Sequence, residues 1–442
     1  MFTAALFATI CYAEPALSEF PIAIENNAFS TETRIDVCKH ICERICIRQT
    51  RFGRGVTMPS DKESIETRCV HGDIDEAVKD GFRPISFPIF QSAAFSHVEL
   101  GHNESGFDYT RETNPTRTRL EQIVASLESA ADAIAFASGM AAISTVLELF
   151  GPGDHIVCSN DLYGGVFRLH NLINKKNGLE VDYVNTSDLS LVESTFRSQT
   201  KALYIETPTN PTMIMSDIAA CARIAHEKGA LLIVDNTFLT PYFQNPLDLG
   251  ADIVVHSASK YLGGHNDTIG GFLCVKDEGI GEDLHMLAKT VGNSMAPFDA
   301  WLIMRGIKTL AVRMERQAAN AQAVAEWLEK QSKVEHVLYP GLESFPQHDL
   351  AAEQARGFGA MISFYVDSEA TALEILDRVR VITFAESLGG TESLMTYPLV
   401  QTHGDTPDAL KEALGINDRL LRLSVGLEGA DDLIGDLAQA LG

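Results

Sequence analysis

Lys260 follows two hydroxyls in Ser257-Ala258-Ser259-Lys260-Tyr261-Leu262-Gly263-Gly264, directly after four residues that suit a buried strand, 253–256. A lysine delivered at the carboxyl end of a buried strand loses solvation for its ammonium form. Its pKa then falls and the neutral amine can attack a carbonyl to form a Schiff base. The Ser257 and Ser259 hydroxyls beside it suit an anion. An ordinary solvated loop lysine is the competing assignment for Lys260 on this stretch alone.

A carboxylate has a comparable address. Residues 231–234 are four apolar side chains that suit a buried parallel strand, and Asp235 stands at its carboxyl end. A buried carboxylate needs a cationic partner. A pyridinium nitrogen is one, and the pair keeps such a ring protonated as an electron sink. A helix N-cap or a metal ligand is the alternative for Asp235. Upstream, Phe136-Ala137-Ser138-Gly139-Met140 ends an apolar strand and opens a nearly all-apolar helix. First-turn N–H groups there form an anion cradle that Gly139 lets a phosphate approach. Alone, this is a strand-to-helix turn with a serine cap. Together with Ser257 and Ser259 it becomes one phosphate site drawn from two places in the sequence. Aldehyde, phosphate and pyridine nitrogen on one molecule describe pyridoxal 5'-phosphate.

Other side chains can complete such a site. Tyr163, beside Gly164-Gly165, can lay its ring on a planar cofactor or be a half-buried core tyrosine. Tyr109 and Arg111, two apart on extended backbone, can clasp a phosphate together or belong to a polar loop. The prolines of Thr207-Pro208-Thr209-Asn210-Pro211 fix a turn that presents the Asn210 amide. Arg422 can hold a substrate carboxylate bidentately or form a structural salt bridge.

These residues require strand ends gathered at one edge. Between residues 131 and 274 apolar strands alternate with helices at the spacing of a doubly wound parallel sheet, the α/β class. Residues 63–78 read as a helical arm, 118–128 as an amphipathic helix, and 296–331 as one long helical stretch bent near Gly306. Short strands over 334–339, 361–366, 381–384 and 420–425 make a smaller α/β domain. The chain thus divides into residues 58–115, a large domain over 116–305 and a small C-terminal domain over 306–442. Residues 1–57 read differently: a short apolar start without Lys or Arg ahead of it, then Cys38, Cys42 and Cys46 at i, i+4, i+8. Those thiols suit a helical apolar stripe better than a metal site, because no fourth ligand is in view. A mobile extension or an overextended gene start is the expectation for 1–57, and no metal is expected in the protein.

The 442 residues are 45% hydrophobic and carry a formal net charge of −25, which excludes a nucleic-acid partner because no block of Lys and Arg is present. No apolar run reaches the ~18 residues that span a bilayer. Eight scattered cysteines favour a reducing, cytoplasmic compartment over a disulfide framework.

The motifs Tyr-Thr-Arg-Glu-Thr-Asn-Pro-Thr, Ser-Gly-Met, Tyr-Gly-Gly, Glu-Thr-Pro-Thr-Asn-Pro, Val-Asp-Asn-Thr, Ser-Ala-Ser-Lys, Glu-Ser-Leu-Gly-Gly and Arg-Leu-Ser-Val-Gly occur here in one order. In that order they resemble the trans-sulfuration family of pyridoxal-phosphate enzymes, over about residues 60–442. The resemblance implies the aspartate aminotransferase-like fold. It implies that Lys260 carries the cofactor, Asp235 pairs with the pyridine nitrogen, and Tyr163 stacks on the ring. Ser138, Gly139, Met140, Thr237, Ser257 and Ser259 would complete its binding. Tyr109 and Arg111 would reach the phosphate from a neighbouring subunit, implying dimers that share active sites within a homotetramer. Asn210, Ser387 and Arg422 would hold the carboxylate end of a sulfur amino-acid substrate, with Lys260 and Tyr163 as acid and base.

Within the family, Glu386 and Arg168 resemble positions of the cystathionine γ-synthases and γ-lyases, Glu386 meeting the distal end of the substrate. Methionine γ-lyases usually have a cysteine where Gly165 stands. Residues 296–309 resemble cystathionine β-lyases as well, which keeps β-elimination open. A pyridoxal-phosphate-binding regulatory protein without turnover is the alternative of another class. A dinucleotide-dependent oxidoreductase is disfavoured, since no G-x-G-x-x-G follows a strand.

Overall fold

Alternation along the strands decides the architecture of the first sheet. Its strands are β1 (Asp132–Phe136), β2 (His155–Ser159), β3 (Glu180–Val184), β4 (Thr200–Glu206), β5 (Leu231–Asp235), β6 (Ile253–Ser257) and β7 (Gly271–Val275). They lie in the order β1-β7-β6-β5-β4-β2-β3. The computed structural model describes residues 63–72, 84–100, 103, 105–404 and 406–442, and Glu63–Gly442 form one unit. Expectations for residues 1–57, the three clustered thiols included, lie outside the described residues. So does the second half of the helical arm, of which α1 (Ile65–His71) is described.

In β4 and β5, Leu203, Ile205, Leu232 and Val234 enter one core with Leu120 and Ile123 of α2 (Pro115–Glu128). Ala202, Tyr204 and Ile233 enter another with Ile143 and Val146 of α3 (Gly139–Leu147). Successive side chains point to opposite faces, so a strand apolar at every position must be covered on both. That is the doubly wound arrangement. Each large apolar side chain fully buried this way contributes about 1.5–3 kcal/mol, which holds the strand ends rigid where Asp235 and Lys260 emerge.

β2 to β6 pair in parallel, as expected, but β7 runs antiparallel to both β1 and β6. The all-parallel expectation is corrected there. Residues 258–270 connect β6 to β7 without the helix that a parallel crossover requires, so the chain returns antiparallel.

The second sheet, β10-β11-β12-β9-β8, contains β8 (Val334–Leu338), β9 (Met361–Val366), β10 (Thr383–Phe384), β11 (Leu394–Thr396) and β12 (Leu420–Ser424). β11 is absent from the sequence-derived set, being three residues between polar turns. The long helical stretch is two helices, Pro297–Ile307 and Leu310–Leu328, interrupted at Lys308-Thr309, just beyond Gly306.

Candidate active site

The carboxyl ends of β4, β5 and β6, the start of α3 and the loops around β11 and β12 enclose a cavity of about 600 Å³. Lys260 is half-buried in its wall. Burial, and then the Arg422 guanidinium, pull its ammonium down to about 8 against the opposing pull of Glu386. Its Nζ donates to the Ser387 hydroxyl at 3.0 Å. The solvated-loop assignment for Lys260 therefore fails.

Asp235 is 9% exposed. Its Oδ1 accepts from the Thr237 N–H at 3.0 Å and the Thr237 hydroxyl at 2.6 Å, and its Oδ2 from the Tyr204 hydroxyl at 3.5 Å. Burial raises its pKa, and those donors, with His256, pull it back. Thr237 thus acts on Asp235 itself. Among the described residues Asp235 has no ion-pair partner, so a cationic ring nitrogen would answer an unmet charge.

Ser138 caps α3 by accepting from the Ala141 N–H at 3.0 Å. The Gly139 and Met140 N–H groups stand in the first turn, where no intrahelical acceptor reaches them. A Cβ at Gly139 would lie 2.9 Å from the Ser257 Cβ, so the start of α3 and the Ser257 side chain lie against each other. Ser259 lines the cavity too, its hydroxyl engaged with Gly270.

Tyr163 lines the cavity as well, 42% exposed, so it is not a core tyrosine. It precedes α4 (Gly164–Leu169). A Cβ at Gly165 would lie 2.6 Å from the Tyr163 ring and 2.9 Å from the Met140 sulfur, so a side chain there would have to displace them from these places. Arg422 on β12 is buried, and its guanidinium donates to Asn210 Oδ1 at 2.8 Å, the Ser387 carbonyl at 3.0 Å and the Thr396 hydroxyl at 3.0 Å. Those acceptors are neutral, its Nε has no partner in the structure, and no ion pair to it occurs among the described residues. Among the described residues, then, no structural salt bridge accounts for Arg422, and its guanidinium faces the cavity. Glu386 lies in the same wall.

Three predicted residues are not brought to this lining. Tyr109 and Arg111 are exposed and stack on each other, the guanidinium carbon 5.6 Å from the ring centre, with Arg111 also donating to the Lys289 carbonyl. Arg168 is exposed on α4. Sequence reasoning missed Glu206, Asn266, Thr268 and Thr402, all in the wall. Glu206 carried the same signal as Asp235, an acid ending an apolar strand.

Pyridoxal 5'-phosphate fits these residues: an amine of lowered pKa for the aldehyde, a buried unpaired carboxylate for the ring nitrogen, and open N–H groups beside Ser257 for the phosphate. The chain matches the family described as Cys/Met metabolism PLP-dependent enzyme over residues 66–442. It is 46% identical over 376 residues to cystathionine gamma-lyase of Bacillus subtilis, covering 85% of this chain and 98% of the relative. It is 44% identical over 378 residues to cystathionine beta-lyase of Lactococcus lactis, covering 86% and 99%. A solved cystathionine gamma-lyase from Lactobacillus plantarum, complexed with L-serine, superposes with a TM-score of 0.83 at 44% identity, covering 86% of this chain and 98% of that one.

Proposed function

Because the chain belongs to the family of pyridoxal-phosphate-dependent enzymes of Cys/Met metabolism, we propose that it is a trans-sulfuration enzyme of the cystathionine γ type. It acts on cystathionine or an O-activated homoserine by γ-elimination or γ-replacement. The observation that carries this is the cluster of Lys260, Ser387, Arg422 and Glu386 in one wall, with the Lys260 amine held at 3.0 Å from Ser387.

Bound there, pyridoxal phosphate supplies an aldehyde and a ring that takes up negative charge from the substrate's α-carbon. The chain does the rest. Arg422 and Asn210 hold the substrate carboxylate, which fixes its α-carbon within reach of Lys260. The Lys260 amine, poised near 8, removes the α-proton and returns it further along the chain, with Tyr163 as the second acid-base group. Asp235 holds the ring nitrogen, and Gly139, Met140, Ser257 and Ser259 hold the phosphate. Glu386 meets the distal ammonium of the substrate.

Tyr109 and Arg111, outside their own cavity, support phosphate contacts made to a neighbouring subunit, in dimers paired as a homotetramer. Residues 58–115 are then the arm that carries them, 116–305 the large domain and 306–442 the small one. The four described cysteines, Cys69, Cys158, Cys221 and Cys274, are buried and unpaired, which supports a cytoplasmic setting. No helix among the described residues is long and apolar enough to cross a membrane.

Incubation of the purified protein with L-cystathionine tests the reading. Cysteine with 2-oxobutyrate supports it, while homocysteine with pyruvate makes the protein a β-lyase. If neither forms, O-activated homoserines with cysteine are the next substrates, and no product from those leaves a binding protein.

A further inference from the structure

Glu206 and Asp235 are register partners on the parallel strands β4 and β5, so two carboxyl groups leave the sheet side by side at its carboxyl edge. They are 6% and 9% exposed, and both line the cavity. Like charges this close and this dry cannot both persist. Hydrogen bonding decides which one keeps its charge. Asp235 collects the Thr237 N–H, the Thr237 hydroxyl and the Tyr204 hydroxyl. The Glu206 carboxyl accepts the Tyr163 N–H, to Oε2 at 3.0 Å, and faces the Asn210 N–H.

We propose that Glu206 is a further residue of the reaction: a carboxylic acid that keeps its proton, seats Tyr163 through that residue's N–H, and offers the cavity a neutral hydrogen-bond donor. Burial and the neighbouring Asp235 both push its pKa well above the ordinary carboxylate range. The groups turned toward it are Asp235 on β5, Tyr204 on its own strand, Asp161 from the β2–α4 connection and Arg422 on β12. Asp161 adds a further negative charge. The Arg422 guanidinium is already shared by Asn210, Ser387 and Thr396.

The inference rests on the reading of the cavity as the cofactor site, and its test separates the two. Infrared difference spectra of cofactor-free wild type and E206Q at pH 8 report the carbonyl stretch of a protonated carboxylic acid, whatever reaction the enzyme runs. A positive band lost in E206Q is expected, and its absence overturns the proposal. In the loaded enzyme, E206Q keeps both an acceptor for Tyr163 and a neutral donor, so kcat/KM stays within about threefold, whereas E206A falls at least about tenfold, mainly in kcat. A folded, cofactor-loaded E206Q that loses as much as E206A also overturns it. If wild type turns over none of the proposed substrates, the infrared result alone decides.

Discussion

Lys260 Nζ and the Ser387 hydroxyl meet at 3.0 Å across 127 residues of chain, and Ser387 holds its place there with a φ of 84°. That is left-handed backbone for a residue with a side chain, a conformation that costs of order 1–3 kcal/mol and persists only where its surroundings impose it. The two roles of Ser387 can be separated. S387G relieves the backbone and S387A retains the strain, while both remove the hydroxyl. S387G should therefore melt above S387A, with both impaired in turnover; equal melting temperatures would show that the φ is not strained.

The Lys260 amine should be singled out by pH. With its pKa pulled down to about 8, roughly half of it is neutral at that pH, while an ordinary lysine with a pKa of ~10.4 is almost wholly charged. Reductive methylation of the cofactor-free protein, followed by peptide mass spectrometry, should label Lys260 with a midpoint near pH 8. The linkage has a definite sign. Between about 8 and about 10 the unfolded lysine keeps a proton that the folded one has lost, so this group adds stability as pH rises through that window. K260M should flatten that rise in the cofactor-free protein.

G165A places a methyl group against the Tyr163 ring and the Met140 sulfur. The sulfur can yield, being on a flexible side chain, but the ring must then shift from its place in the cavity wall. We expect kcat to fall about tenfold or more with a smaller change in cofactor affinity, the pattern of a displaced acid-base group. Cofactor affinity from absorbance titration and kcat from product formation check it together.

R422K retains the charge and loses the fork. A single ammonium cannot serve Asn210, Ser387 and Thr396 and still present a bidentate edge to a carboxylate. KM for the amino-acid substrate should rise about tenfold or more, with kcat less affected. Steady-state kinetics over a range of substrate concentrations decides it, and an unchanged KM would remove Arg422 from the substrate site.

How much of this was legible in the sequence depended on whether the information was local. Asp235 and Lys260 each follow an apolar run that only a buried strand explains, so their positions could be read directly, and the Ser138 cap likewise. The direction of β7 could not be read, because strand polarity is set by the length of the preceding loop and by pairing with β1, which lies over a hundred residues upstream. Glu206 carries the same local signal as Asp235, an acid that ends an apolar strand, but its neighbour could not be read. Its meaning arises from standing opposite Asp235 in the β4–β5 register. Tyr109 and Arg111 stack on each other, and no stretch of one chain tells whether they meet a phosphate.

The bond between Arg422 and Asn210 joins groups 212 residues apart. Contacts of such long sequence separation repay the entropy of closing their loop only late in folding. The first sheet can therefore assemble, with Lys260 and Asp235 at its edge, before β12 docks. A chain in which the first sheet had formed and β12 had not yet docked would hold the Lys260 amine without the guanidinium that helps to lower its pKa.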